Sequence, residues 1–131
     1  MSERDDFLAW VGTSLRQAES ALHNGDPAPR HALWSQEDPV TVLGAWRSAV
    51  GHDDVHRLFD DLGKTFSDCL HHEYEVIAAD VDGDLAYTAG YERTRSSVNG
   101  EAREYTLRVT QVYRRENGQW KVVHRHADTL E

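Results

Sequence analysis

Apolar residues recur with a helical spacing at the start of the chain. Between Asp6 and Leu22 they fall three or four residues apart, which is the period of one helix face. These apolar positions are Phe7, Val11, Leu15, Ala18 and Leu22. The pattern predicts an amphipathic helix that ends at Asn24-Gly25, because glycine readily takes the left-handed conformation found after a helix C-terminus.

Shorter elements follow this helix. Asp26-Pro27 combines a helix-capping residue with proline at the first helical position, which predicts a second helix as far as Trp34. Asp38-Pro39 is a turn signal. The β-branched run over residues 40–43 then predicts a strand, with Trp46 to Val50 as its partner.

A third amphipathic helix precedes a long β-rich region. Asp53 or Asp54 can cap this helix, and its apolar stripe comprises Val55, Leu58, Phe59, Leu62 and Phe66. Beyond Cys69, three hairpin turns are predicted at Asp82-Gly83, Asn99-Gly100 and Asn117-Gly118. They delimit a four-stranded meander with strands at Leu70–Asp80, Leu85–Ser97, Ala102–Arg115 and Trp120–Asp128.

Helices early in the chain and a meander late in it indicate the α+β class, with the helices on the concave face of a curved antiparallel sheet. Strands of ten or more residues exceed the usual length, so we expect the sheet to twist and to bend at a bulge. The 131 residues suit one domain, residues 1–131. The other sheet face would carry Tyr, Val and Thr side chains, and we expect a homodimer to form through it.

Composition narrows the range of partners. A formal net charge of −9 repels phosphate backbones and anionic lipids, so we expect no nucleic-acid and no membrane partner. The single cysteine, Cys69, cannot form a disulfide within the chain. The segment Ser2 to Asp6 lacks the basic and apolar regions of a signal peptide, and no run is long enough to span a membrane. These features favour a cytoplasmic protein, and no cofactor is predicted.

The order of elements resembles the nuclear transport factor 2-like superfamily, which includes SnoaL-like and ketosteroid isomerase-like proteins. Local matches are Asn24-Gly25-Asp26, Ala32-Leu33-Trp34 and, above all, the closing hairpin over residues 108–128. The resemblance implies a cone-shaped fold with a pocket. The isomerases of the superfamily take a carboxylate base from the first strand pair, but Thr41 to Trp46 contains no acid. The catalytic sets of scytalone dehydratase-like and epoxide hydrolase relatives cannot be assigned either.

The register of the last hairpin decides which side chains face the pocket, because a one-residue slip turns every side chain over. A two-residue turn at Asn117-Gly118 places three pairs on the concave face, namely Tyr113 with Val122, Gln111 with His124, and Val109 with His126. The opposite face then carries Arg108, Thr110, Arg114, Lys121 and Arg125. A three-residue loop with a glycine bulge would instead shift this pairing by one residue.

His124 is the predicted catalytic acid or base. It stands two residues from His126, so both rings lie on one side of a strand. Such spacing also occurs in metal sites, but a third ligand is missing, and no metal site is predicted. Buried histidines that are satisfied by hydrogen bonds are the alternative interpretation.

The predicted ligand-binding residues are Trp34, Trp46, Tyr87, Tyr91, Gln111, Tyr113 and His126. The two tryptophans bracket the first strand, where they either line the pocket mouth or fill the core. The sequence thus favours a SnoaL-like pocket protein for a small apolar compound, acting as an isomerase, cyclase or dehydratase without the ketosteroid isomerase acids. The alternative is a non-catalytic dimeric ligand-binding or association domain, so the sequence leaves open whether the chain is an enzyme.

Overall fold

The computed structural model describes residues 2–130, with helices packed on one face of a curved six-stranded sheet. The helical elements are α1 (Glu3–Trp10), a π-helical turn (Val11–Leu15), α2 (Arg16–Leu22), α3 (Ala28–Leu33) and α4 (His52–Thr65). The strands are β1 (Thr41–Leu43), β2 (Ser48–Val50), β3 (Phe66–Asp82), β4 (Leu85–Val98), β5 (Glu101–Glu116) and β6 (Gln119–Thr129). The order across the sheet is β2-β1-β6-β5-β4-β3. The predicted α+β class is confirmed, although β1 and β6 pair in parallel.

The first helical segment runs without a break through α1, the π-helical turn and α2. Its predicted apolar stripe is confirmed, because all five positions from Phe7 to Leu22 are at most 5% exposed. The π-helical turn is not visible in the apolar spacing. This segment lies over the sheet and supplies Glu19 and His23 to the interior.

The predicted third helix is α4, and Val55, Leu58 and Phe59 on its stripe are buried. Phe66 does not belong to it, contrary to the prediction. The backbone becomes extended at Phe66, with φ −94° and ψ 145°, and β3 begins there. The phenyl ring still points into the interior, so its apolar character was informative about burial and misleading about secondary structure.

All three predicted hairpins are present. Asn99-Gly100 and Asn117-Gly118 form two-residue turns in which both residues have positive φ. The first turn comprises Gly83 and Asp84, one residue later than predicted, since Asp82 pairs with Leu85. The four-stranded meander is therefore confirmed, with strands longer at their ends than predicted.

A bulge in β6 changes the predicted register of the closing hairpin. Tyr113 pairs with Val122 as expected, but Val112 pairs with His124, which leaves Val123 as the extra residue. The predicted pairs of Gln111 with His124 and of Val109 with His126 are wrong, because their partners are Arg125 and Ala127. The shift arises at this bulge and not at the turn, which has two residues.

The predicted bend of the sheet is also present. β3 carries an irregularity between Val76 and Ala78, opposite Gly90 of β4. A Cβ atom on Gly90 would lie 1.9 Å from the carbonyl oxygen of Glu75, so the two strands approach too closely there for any other residue. No helix within residues 2–130 has the length and apolar character needed to cross a membrane.

Candidate functional site

Two acid–base pairs are buried together between the helices and the concave face. Arg30 of α3 donates through Nε and Nη2 to the two carboxylate oxygens of Glu19 of α2, at 2.8 and 2.6 Å. Arg125 of β6 donates through Nη1 and Nη2 to Glu92 of β4, at 2.8 and 2.7 Å. Arg125 Nη1 also lies 3.8 Å from Glu19 Oε1. The four side chains thus form one buried charge network that joins both layers of the fold.

The arginines keep both carboxylates of this network ionised. Burial alone would raise the pKa of Glu92, but the adjacent Arg125 guanidinium outweighs it and holds the pKa well below its usual value. Burial acts on Glu19 in the same way, and Arg30 lowers its pKa below the usual value. Neither carboxyl therefore carries a proton at neutral pH. Loss of one member would leave an uncompensated buried charge, at a cost of about 3–5 kcal/mol.

A chain of hydrogen bonds extends this network across the sheet. Gln111 Oε1 accepts from Arg125 Nη1 at 3.2 Å, and Gln111 Nε2 donates to the Tyr113 hydroxyl at 2.7 Å. The Tyr113 hydroxyl lies 2.8 Å from Thr88 Oγ1, which also accepts from Tyr74. Burial raises the pKa of Tyr113 above its usual value. Gln111 and Tyr113 thus lie on the concave side as expected, with their polar atoms engaged within the protein, and a ligand-binding role for them stays a prediction.

An open cleft of about 620 Å³ lies between α4, the β1–β2 loop and the ends of β3 to β6. We call it the outer cleft, and its lining includes Trp46, Arg47, Leu58, Leu62, Phe66 and Tyr105. Trp46 is 60% exposed and meets the Tyr105 ring edge to face, with 5.2 Å between ring centroids. Arg47 Nη1 donates to Asp61 of α4 at 2.8 Å, which ties the loop to the helix. The mouth of the cleft is therefore aromatic.

A narrower space of about 70 Å³ continues inward from this cleft. It shares residues such as Trp46, Phe66 and Tyr105 with the outer cleft, and we call it the inner recess. Its polar lining includes Tyr105 and the charged or titratable side chains of His23, Arg30, Arg47, Glu92 and Arg125. An apolar cleft thus ends at the buried charge network.

His23 lines this recess, and one of its ring nitrogens has no partner within residues 2–130. Its Nδ1 atom is 2.7 Å from the carbonyl oxygen of Glu19. Because a carbonyl can only accept, Nδ1 carries the proton, and Nε2 is unprotonated with no partner among residues 2–130. Burial and the neighbouring His72 lower the pKa of His23 to about 4, so the ring is neutral at pH 7. The ring stacks on Phe66 and His72, with centroids 4.5 and 5.0 Å away.

Two further groups bear on the site. Arg30 Nη1 has no hydrogen-bond partner in the described part of the chain, since Glu19 takes only Nε and Nη2. The hydroxyl of Tyr105 is buried near Ser96 and Thr94, but it makes no hydrogen bond of good geometry within residues 2–130. Burial raises the pKa of Tyr105 to about 12, so it stays a phenol at neutral pH. Arg30 and His23 both line the inner recess, and each has one nitrogen, Arg30 Nη1 and His23 Nε2, without a hydrogen-bond partner among residues 2–130.

Four residues predicted to face the pocket lie on the outer face of the sheet. The β6 bulge turns His124 and His126 outward, and His124 Nδ1 lies 2.6 Å from Thr41 Oγ1. Tyr87 and Tyr91 alternate with the buried positions of β4 and also face outward. The prediction that these residues line the concavity is wrong. A catalytic role for His124 stays a prediction that its position does not support.

The two predicted tryptophans have different environments. Trp34 is 1% exposed and packs edge to face on Phe59, with 4.9 Å between ring centroids, so it fills the core. Trp46 lies at the mouth of the outer cleft. The sequence left open whether each tryptophan lines the pocket mouth or fills the core. The structure places Trp34 in the core and Trp46 at the mouth of the cleft.

The charged residues of the recess are not predicted from the sequence. The sequence does contain an indication for Glu92, because it shares a strand face with the buried residues Thr88 and Thr94, and a charged residue on a buried face is expected to have a partner of opposite charge. For Arg125 the sequence contains no such indication, since the direction of its side chain depends on the bulge. Within residues 2–130, no three His, Cys, Asp or Glu side chains are grouped to hold a metal ion.

Comparisons with known proteins place the chain in a family. A family model described as a SnoaL-like domain matches residues 11–128. A candidate dehydratase of the NTF2-like family from Streptomyces avermitilis is 20% identical, with a TM-score of 0.76, and the match covers 97% of this chain and 98% of that one. A ketosteroid isomerase-like protein from Erwinia carotovora atroseptica is 15% identical, with a TM-score of 0.75 and coverage of 100% and 99%. At these identities the solved structures support the fold alone. No curated protein matches.

Proposed function

The chain belongs to the SnoaL-like domain family, and we propose that it binds a small, largely apolar molecule in the outer cleft and inner recess. The observation that carries this proposal is an apolar cleft that ends in free polar groups. Its volume of about 620 Å³ lies within the range of about 300–1,000 Å³ typical of small-molecule sites. The body of the ligand would lie against Trp46 and Tyr105, and its polar end would reach His23.

Turnover of the ligand as an isomerase, cyclase or dehydratase would require a proton transfer, for which His23 is the best-placed base. Its Nε2 atom is unprotonated, as a base must be. A pKa of about 4 nevertheless makes it a weak base, because general bases work best when their pKa is near the operating pH. These properties support binding and orientation more strongly than proton abstraction. The names of the Streptomyces and Erwinia proteins are consistent with chemistry on small molecules in this family.

Thermal shift and calorimetry against steroids, aromatic polyketides and small acids test the binding proposal, because a ligand of the native state raises the melting temperature. Trp46→Ala should weaken binding of any hit about tenfold without lowering stability, since Trp46 is largely exposed. Tyr87→Ala is the matched control, an exposed aromatic residue on the outer sheet face. Failure of every compound to bind, or unchanged affinity in Trp46→Ala, would contradict the proposal.

We also propose that the chain forms a homodimer through the outer sheet face. This face exposes Ile77, Leu85 and Tyr87, with 62%, 55% and 42% of their surfaces accessible. An apolar surface of this kind is commonly covered by a partner. The proposal applies equally to the alternative function of a non-catalytic association domain, and a candidate kinase association domain from Exiguobacterium sibiricum has a similar fold, with a TM-score of 0.72 at 15% identity.

A further inference from the structure

The inner recess holds its hydrogen-bond acceptor in a fixed orientation. The Glu19 carbonyl fixes the Nδ1 proton of His23, and stacking on Phe66 and His72 limits rotation of the ring. Nε2 therefore offers a lone pair to a ligand and no proton. A ligand group that meets it has to donate a hydrogen bond.

The donor in the recess is equally constrained. Two of the three guanidinium nitrogens of Arg30 are held by Glu19, and the guanidinium carbon lies 5.0 Å from the centroid of the Phe59 ring. Its side chain is only 5% exposed, so Nη1 is the part of the group left for a ligand. A ligand group that meets Nη1 has to accept a hydrogen bond.

Charge balance disfavours an ionic ligand end. The two buried carboxylates, Glu19 and Glu92, are paired with Arg30 and Arg125, and the third arginine of the lining, Arg47, is paired with Asp61. A ligand carboxylate would compete with Glu19 for Arg30 and add an unbalanced buried charge. A ligand ammonium group would be repelled by the guanidinium groups of Arg30 and Arg125, and the carboxylates beside it are already paired with them. An uncharged polar group loses little by comparison when both of its hydrogen bonds are made.

Size sets a further limit. The recess has a volume of about 70 Å³, against about 620 Å³ for the outer cleft. The bulk of a ligand therefore lies in the outer cleft, and the recess takes its polar end. The ring system of a ligand would remain in the outer cleft, beside Trp46 and Tyr105.

From this acceptor and donor we propose that the recess selects ligands whose polar end is uncharged and carries an acceptor next to a donor. A carboxamide, a lactam or a hydroxy ketone on a flat apolar ring system has this arrangement. This inference rests on the proposed binding function and names its ligand class. In the bound state the carbonyl oxygen accepts from Arg30 Nη1, and the N–H or O–H group donates to His23 Nε2.

Calorimetry with four probes of one shape tests the selectivity at pH 7. The probes are 2-naphthamide, 2-naphthoate, 2-naphthylmethylamine and 2-methylnaphthalene. We expect 2-naphthamide to bind at least about tenfold more tightly than each of the others, because only it makes both hydrogen bonds without a charge.

The variant His23→Phe keeps a stacking ring and removes the acceptor. We expect it to weaken binding of 2-naphthamide about tenfold and to leave binding of 2-methylnaphthalene unchanged. His71→Phe is the matched control, because His71 is exposed and lies outside both cavities. Arg30 is not substituted, since its loss would leave Glu19 unpaired and confound binding with folding.

The outcomes separate the two proposals. Equal binding of 2-naphthamide and 2-methylnaphthalene, tightest binding of 2-naphthoate, or full amide affinity in His23→Phe would overturn the ligand class and leave the binding function standing. Absence of binding by all four probes would count against the binding function itself. If His23→Phe does not fold, the order of the four affinities in the wild-type protein decides the question alone.

Discussion

His23 ends α2 with both its backbone N–H and its ring nitrogen directed at the same carbonyl oxygen, that of Glu19, at 3.1 and 2.7 Å. The Glu19 carbonyl thus accepts two hydrogen bonds from His23, and the bond from the ring fixes the tautomer of the imidazole. Its burial, together with the neighbouring His72, lowers its pKa to about 4, against an ordinary value of 6.5. At the scale of one residue, folding and site chemistry are therefore coupled through a proton.

This coupling predicts a pH-dependent stability. Between pH 6.5 and 4 the unfolded chain binds a proton at His23 that the folded chain does not, so the free energy of unfolding falls as pH falls. From the two pKa values the loss from this residue by pH 4.5 is about 2–3 kcal/mol. Urea unfolding of the wild type at pH 7.5, 6.5, 5.5 and 4.5 measures it.

The comparison with His23→Phe isolates the contribution of this residue. His56 and His124 also have lowered pKa values from burial, and they act in the same direction in both proteins. The carboxyl groups Glu19 and Glu92 lose their contribution only at lower pH, because their pKa values are depressed. A variant whose stability falls as steeply with pH as that of the wild type would show that folding does not lower the pKa of His23.

At the scale of elements, locally encoded features are predictable and bulges are not. The hairpin at Asn117-Gly118 follows from residues that favour positive φ, and the apolar stripes follow from spacing within one helix. The bulge at Val123 has no such local signature, since it depends on how β6 follows the bend of the sheet. One extra residue exchanges His124 for Arg125 on the concave face. The fold could therefore be predicted, whereas the polar lining of the site could not.

The bend itself depends on Gly90. In Gly90→Ala the new methyl group would lie 1.9 Å from the carbonyl oxygen of Glu75, a backbone atom that cannot move without opening the β3–β4 pairing. We expect the substitution to lower the free energy of unfolding by more than about 2 kcal/mol, as measured by urea denaturation.

Gly12→Ala is the matched control, because a Cβ atom there meets nothing within 4 Å. Gly12 lies in the π-helical turn, where alanine should be neutral or stabilising by about 0.5–1 kcal/mol. Equal effects of the two substitutions would mean that the close approach of β3 and β4 is not needed for the bend.

At the scale of the whole molecule, the two faces of the sheet have opposite characters. On the concave face the helices cover a charge network whose members are all at most 8% exposed. On the outer face, side chains such as Ile77, Leu85 and Tyr87 remain accessible. An uncovered apolar sheet face suits a twofold interface, because the same patch on each copy is then buried against the same patch on the other.

The proposed homodimer predicts a substitution that separates the two copies. Thr110 is exposed near the middle of the outer face, where it pairs with Ala89 and His126. Thr110→Arg would place a charge at the centre of the interface in both copies, and we expect sedimentation velocity at micromolar concentration to show dimer for the wild type and monomer for this variant.

Thr13→Arg supplies the comparison, since Thr13 is also exposed but lies on the helical side, and this variant should remain dimeric. A monomeric wild type, or dissociation by Thr13→Arg and not by Thr110→Arg, would contradict an interface on the outer face. Because the cleft and the outer face lie on opposite sides of the sheet, ligand affinity in Thr110→Arg should equal that of the wild type. Binding and association can therefore be tested independently in one protein.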